Sequence, residues 1–173
     1  MAATLKSRRH MVIAGCLQIV GAFLTINPPA YADDDYGFQF DLTKDGQHAV
    51  IVDYKYSAGS RTLLSADPDY AKSGKGYYGE NRSGPMPRGT KLYVKWRDTI
   101  TNEVAEDTVD MDRLLPRDME RKTIFLMIRG RQLQIFIIAR MPHEPGTPVI
   151  GPSLKAQWSA MQIYPPSPAT KTN

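Results

Sequence analysis

The sequence predicts an all-β protein: a single-domain β-sandwich of about seven to eight mostly antiparallel strands, with room for one short C-terminal helix. Three observations carry this. Several segments alternate apolar and polar residues with period two, which puts one face of each on a core. Turn signals built on glycine and aspartate punctuate the chain at short intervals. Only one stretch, SLKAQWSAM, has helical spacing.

The first strand, FQFDL, leads into Lys44-Asp45-Gly46, which predicts a tight hairpin with AVIVDYKYS, because glycine after aspartate accepts the positive φ angles of a primed turn. In that second strand Val50, Val52, Tyr54 and Tyr56 should share one face, and Ile51, Asp53 and Lys55 the other. In TKLYVKWRD the inward set is Leu92, Val94 and Trp96. A turn centred on Thr101-Asn102 would pair it with EVAEDTVDM. Arg97 then lies opposite Glu106 and Lys91 opposite Asp112, while Leu92 meets Met111 and Val94 meets Val109. The same register sets Trp96 against Asp107, which asks for a bulge or a shift.

TIFLMIRG and QLQIFIIAR, joined at Arg129-Gly130-Arg131, read as central strands covered on both sides, with Ile124, Leu126, Ile128, Leu133, Ile135 and Ile137 inward. Near the C-terminus, Ser153 could cap a helix carrying Leu154, Trp158 and Met161 on one face, or a strand could run through QWSAMQIY. Pro165 to Asn173, with three prolines and no apolar pattern, reads as a disordered tail, which gives a folded domain over residues 33–164.

Residues 1–32 read as a signal peptide. Lys6, Arg8 and Arg9 precede the apolar run Met11 to Ile26, and Ala30-Tyr31-Ala32 supplies the small-residue cleavage site. Cleavage after Ala32 would release a periplasmic chain and lower the formal charge from +4 to +1, since it removes three bases and no acid. So small a balance gives no support to nucleic-acid binding. The rival reading is a lipobox at Ile13-Ala14-Gly15-Cys16, with the protein held at the membrane through lipidated Cys16. It leaves only six residues between Arg9 and Cys16 and strands the apolar Leu17 to Ile26 on the product. Cys16 is the single cysteine, so a cleaved chain has no disulfide and no thiol nucleophile.

GKGYYG, residues 74–79, spells the G-x-G-x-x-G of dinucleotide sites, but that fingerprint works only between a strand and a helix whose amides meet the phosphates. Here Gly84, Pro85, Pro87 and Gly89 follow and forbid the helix, so no nucleotide cofactor is expected. His48 and His143 stand far apart, no G-x-S-x-G or H-E-x-x-H occurs, and the carboxylate pairs Asp67/Asp69 and Asp110/Asp112 read as solvated surface. These patterns motivate neither an enzyme nor a metal site. The segment from Asp67 to Gly89 reads instead as a long surface loop with Tyr70, Tyr77 and Tyr78, either a binding surface or a cover over a core edge.

The stretch from Gly74 to Met111 resembles a family of small exported bacterial proteins in which a Gly-rich aromatic loop leads through a proline-flanked turn into a Leu-x-Val-x-Trp strand. The matching positions are Gly74, Gly76, Tyr77, Gly79, Pro85 and Pro87, then Leu92, Tyr93, Val94 and Trp96, then Glu106, Val109 and Asp110. Members commonly have a clean lipobox and a tryptophan in the loop, where this chain has Tyr77 and Tyr78. Several act as immunity proteins against type VI secretion effectors, often phospholipases. The resemblance implies stoichiometric neutralisation of a secreted effector protein, with Tyr77 and Tyr78 as anchors and Lys75, Glu80 and Arg82 setting orientation. The competing expectation is a non-enzymatic structural or binding module of the bacterial envelope.

Overall fold

Two sheets face one another across an aromatic and aliphatic core. The computed structural model describes residues 33–146 and 149–166, so the signal peptide expected over residues 1–32, Cys16 and the tail expected beyond Pro166 lie outside the described residues. One sheet has five strands in the order β4-β1-β7-β8-β9, formed by Gly79–Met86, Asp34–Asp41, Lys122–Arg129, Gln132–Pro142 and Trp158–Tyr164. The other has four in the order β3-β2-β5-β6, formed by Arg61–Ser65, Ala49–Ala58, Lys91–Asp98 and Val104–Asp110. All pairs are antiparallel except β1 with β7. The all-β sandwich is therefore as expected, with nine strands among the described residues.

The alternating segments deliver the expected inward faces. Leu92, Val94 and Trp96 are buried on β5, and the six predicted residues of β7 and β8 join the same core. On the reverse face of β7 and β8, Phe125, Met127, Phe136 and Ile138 form a second buried cluster with Trp158 and Ala160 against it. Coverage on both faces explains why these two strands are so uniformly apolar.

Three expectations are corrected, and an alternative left open is decided. The turn at Asp45-Gly46 has both residues at positive φ, yet it joins no hairpin: β1 belongs to the five-stranded sheet and β2 to the four-stranded one. Phe38 and Phe40 face Tyr54 and Tyr56 across the core, so pairing them side by side would have lost that contact. On β2, the register shifts between Ile51 and Asp53. The bulge at Val52 reverses the alternation, so that Ile51 points inward before it and Tyr54 and Tyr56 after it.

The β5–β6 register is displaced by two residues from the expected one. Lys91 pairs with Asp110, Leu92 with Val109, Lys95 with Glu106 and Trp96 with Ala105. The connection is a longer loop, in which the Asp98 carboxylate accepts from the N–H groups of Ile100 and Thr101, and Asn102 takes a positive φ of 60°. Faces are preserved because the shift is even. It frees Trp96 from Asp107 and leaves Asp107 to accept a 2.7 Å bond from Tyr164 Oη of the opposite sheet. Of the two readings near the C-terminus the strand holds and the helix does not: Ser153–Lys155 forms one 3₁₀ turn and β9 follows through most of QWSAMQIY, with Leu154 and Met161 exposed.

The tyrosine hydroxyls at the core are satisfied in place. Tyr36 Oη donates to Pro87 O at 2.8 Å and lies 3.1 Å from Tyr56 Oη, and Gly89 N–H donates to Tyr56 Oη at 3.0 Å. A Cβ on Gly89 would collide with the Tyr56 ring. Gly89→Ala should therefore cost about 1–3 kcal/mol through overpacking, read as a lower urea midpoint.

Burial raises the pKa of Tyr36 and Tyr56, and burial with the adjacent Glu80 carboxylate raises that of Tyr54. A raised phenol pKa contributes stability that is full below the unfolded value near 10 and is lost as pH climbs towards the folded values. Stability should accordingly hold to about pH 10 and fall above it, with these three phenols ionising together with unfolding in an absorbance-detected alkaline titration.

Candidate functional site

The segment from Asp67 to Gly89 is not one long loop. Asp67 caps a short helix, α1 (Pro68–Lys72), by accepting from the N–H groups of Asp69 and Tyr70. Pro68 at the first helical position and the acid in the first turn suit that start. Gly74 and Gly76 then turn at positive φ, Tyr77 bridges to Ile51, and residues from Gly79 run on as β4. β4 lies within the stretch read as a loop, because Gly79, Gly84 and Pro85 interrupt the alternation that marks a strand. As an edge strand it pairs only with β1, so the missing amide of Pro85 costs no sheet bond that matters.

GKGYYG is thus a structural crossover between the two sheets. Tyr77 exchanges backbone bonds with Ile51 at 2.6 and 3.0 Å on the four-stranded sheet. One residue later, Leu42 N–H donates to Tyr78 O at 2.7 Å at the end of β1 on the other sheet. Arg97 of β5 donates to Gly74 O at 3.1 Å, and Tyr70 Oη donates to Gly76 O at 3.0 Å. Gly76 is required here: a Cβ would stand 2.8 Å from Val50 Cγ2.

The five residues singled out from the sequence fall into two groups. Tyr77 is half-buried against the core, stacked edge-on to Tyr54 at 5.9 Å and tilted against Tyr70 at 4.5 Å, with its Oη accepting from Asp67 N–H. The Glu80 side chain is only 15% exposed; it accepts from Tyr54 Oη at 3.0 Å and pairs with Arg82 at 2.9 Å. These two face inward as supports. Lys75, Tyr78 and Arg82 face solvent, Tyr78 with 54% of its surface exposed and the Arg82 side chain with 63%. Tyr70, which the sequence reading placed only in the loop, is 38% exposed and joins them.

Along this ledge Tyr70 and Lys75 line an open hollow of about 500 Å³ with Asp67, Asp69, Ser73 and Tyr77, while Tyr78 lines a separate one of about 450 Å³ with Phe40, Asp41, Glu80 and Asn81. No known protein family, curated protein or solved structure matches this chain. No group of three or more metal-ligating side chains occurs among the described residues. What the ledge offers chemically is apolar ring surface with hydroxyl tips, flanked by charges of both signs and held on a pinned backbone.

That division of labour is measurable. Tyr77→Ala should destabilise the fold by about 2–3 kcal/mol, since it removes a ring packed on the core and an acceptor for Asp67 N–H. Tyr78→Ala should stay within about 0.5 kcal/mol of the parent in urea unfolding, as expected of an exposed side chain.

Proposed function

We propose that this chain is a non-enzymatic binding protein that occludes a protein partner through the Tyr70, Lys75, Tyr78 and Arg82 ledge. The observation that carries this reading is the exposed Tyr78 ring on a backbone bonded to both sheets within two residues. An aromatic that is already ordered loses little entropy on contact, and such residues dominate interface energies. Tyr70 and Lys75 extend the surface on one side and Arg82 on the other, giving the aromatic and arginine content typical of anchors.

By the family resemblance the partner is a secreted antibacterial effector, of which a type VI phospholipase is one candidate, neutralised one-to-one in the periplasm. Export of residues 33–173 would place the ledge where such a toxin arrives. Inhibition by occlusion requires no catalytic group, only an interface of ordinary size, about 1,600 Å² in total, with a few well-placed anchors.

The test is capture of the partner from lysate of the source bacterium on C-terminally tagged residues 33–173, followed by affinity measurement with the purified pair. Tyr78→Ala should weaken the complex by about 2 kcal/mol, near thirtyfold, and should abolish protection of cells expressing the effector. Full affinity in the folded variant would overturn the ledge as the contact surface. Capture of envelope proteins alone would replace the effector with an envelope partner.

A further inference from the structure

A second surface lies on the outer face of the five-stranded sheet and uses none of the ledge residues. Gly37 stands in β1, which is paired on both sides, by β4 and by β7. Glycine weakens such a strand and often marks close approach by a ligand or another backbone. Its neighbours across the sheet are Ser83 and Thr123, and an added Cβ would stand 2.9 Å from Thr123 Oγ1. One row along, Gln39 pairs with Asn81. Together these residues floor a hollow of about 140 Å³, walled by Arg140, Lys155 and Trp158. It adjoins a second hollow of about 260 Å³ through Gly37, Ser83 and Arg140, bordered there by Asp35, Arg121 and Lys122.

The charges in this groove are unbalanced. The Lys122 ammonium is 3.0 Å from Asp118, and Glu120 accepts from Asp35 N–H close by. The side chains of Arg121, Arg140 and Lys155 form no ion pair with a described residue, against the single lining carboxylate of Asp35. Guanidinium and ammonium groups so placed select an oxyanion, and the arginine fork suits a carboxylate. The amides of Gln39 and Asn81 and the hydroxyls of Ser83 and Thr123 can each donate and accept, which complements a ligand bearing several hydroxyls. Trp158 adds an amphipathic ring at the wall. Cations for a carboxylate, amides and hydroxyls for ligand hydroxyls and a ring for an apolar ligand face occur together in one ligand class.

We propose that this groove binds a carboxylate-bearing sugar unit, with Arg140 and Lys155 on the carboxylate, the Gln39, Asn81, Ser83 and Thr123 side chains on the hydroxyls, and Trp158 against the ring. The two hollows together reach the size typical of small-ligand sites, about 300–1,000 Å³.

The chain carries its own reporter. Of its two tryptophans, Trp96 is buried at 2% exposure, so a change in emission on ligand binding reports Trp158. Titrating the purified protein with trigalacturonate should give a saturable change in emission, and neutral galactotriose should give none. Arg140→Ala and, separately, Lys155→Ala should each weaken the response about tenfold or more while leaving the urea midpoint unchanged, and Tyr78→Ala should leave it intact. No response to trigalacturonate in the parent protein overturns the proposal. So does an equal response to inorganic phosphate, which would make the groove a general oxyanion site, or an undiminished response in both folded cation variants.

Discussion

Phe38 lies between the rings of Tyr54 and Tyr56, with centroids 5.8 and 5.7 Å away and interplanar angles of 18° and 21°. Phe38 belongs to the five-stranded sheet and the tyrosines to the four-stranded one, so this stack sets how the sheets meet. Phe40 meets Tyr54 edge-on at 5.8 Å and extends the contact along β1. Such ring pairs contribute about 0.5–1.5 kcal/mol each beyond the apolar area they bury. The stack and the neighbouring Tyr36, also on β1, bring three phenolic hydroxyls into the interior, and each needs a partner. Much of the remaining architecture supplies them: Glu80 for Tyr54, and the Pro87–Gly89 backbone for Tyr36 and Tyr56.

The stack therefore ties the candidate ledge to the core. Glu80 is held by Tyr54, Arg82 is held by Glu80, and Tyr77 packs edge-on to the Tyr54 ring. The exposed residues Tyr70 and Tyr78 stand on this inner layer. Elsewhere the rim is closed by single polar links between the sheets: Tyr164 to Asp107, and Trp96 Nε1 to Gly130 O at 3.0 Å. Where β1 ends, Gln47 takes over its bonding role. It accepts from Ile128 N–H at 2.6 Å and donates to Asp41 O at 3.0 Å. Each such bond adds only about 1 kcal/mol net, but leaving a buried partner unmade would cost more.

Period-two patterning made the inward faces of β5, β7 and β8 legible, because a half-buried or fully buried strand has to alternate or be continuously apolar. The same rule failed on β2, where an extra residue at Val52 inverts the phase and no local signal announces it. The Asp45-Gly46 turn was legible as a turn but not as a passage between sheets, since that choice is made by the distant Phe38 stack. β4 was hidden by its own glycines and proline, which only an edge position tolerates. Tyr77 was expected as an exposed anchor and Glu80 as an orienting charge, because sequence order cannot say which way a ring or carboxylate points. The outer groove was invisible altogether: Gly37, Thr123, Arg140 and Trp158 meet only through the order β1-β7-β8-β9.

The edges of the two sheets bear on how any partner is read. An open edge can recruit an extended peptide through backbone bonds alone, and natural sheets blunt theirs with short strands, charge, proline or irregularity. β4 carries Gly84 and Pro85, β3 has only five residues, and β6 is studded with Glu106, Asp107 and Asp110. β9 departs from regular register at two places and is followed at once by Pro165-Pro166. With every edge blunted, strand addition is disfavoured as a mode of recognition. Any partner contact would then fall to side chains presented on rigid backbone, as both proposals, at the Tyr78 crossover and the Gly37 groove, require. The two proposed surfaces share no residue, with Arg82 of the one and Asn81 and Ser83 of the other on opposite faces of β4, so each can be substituted without altering a side chain of the other.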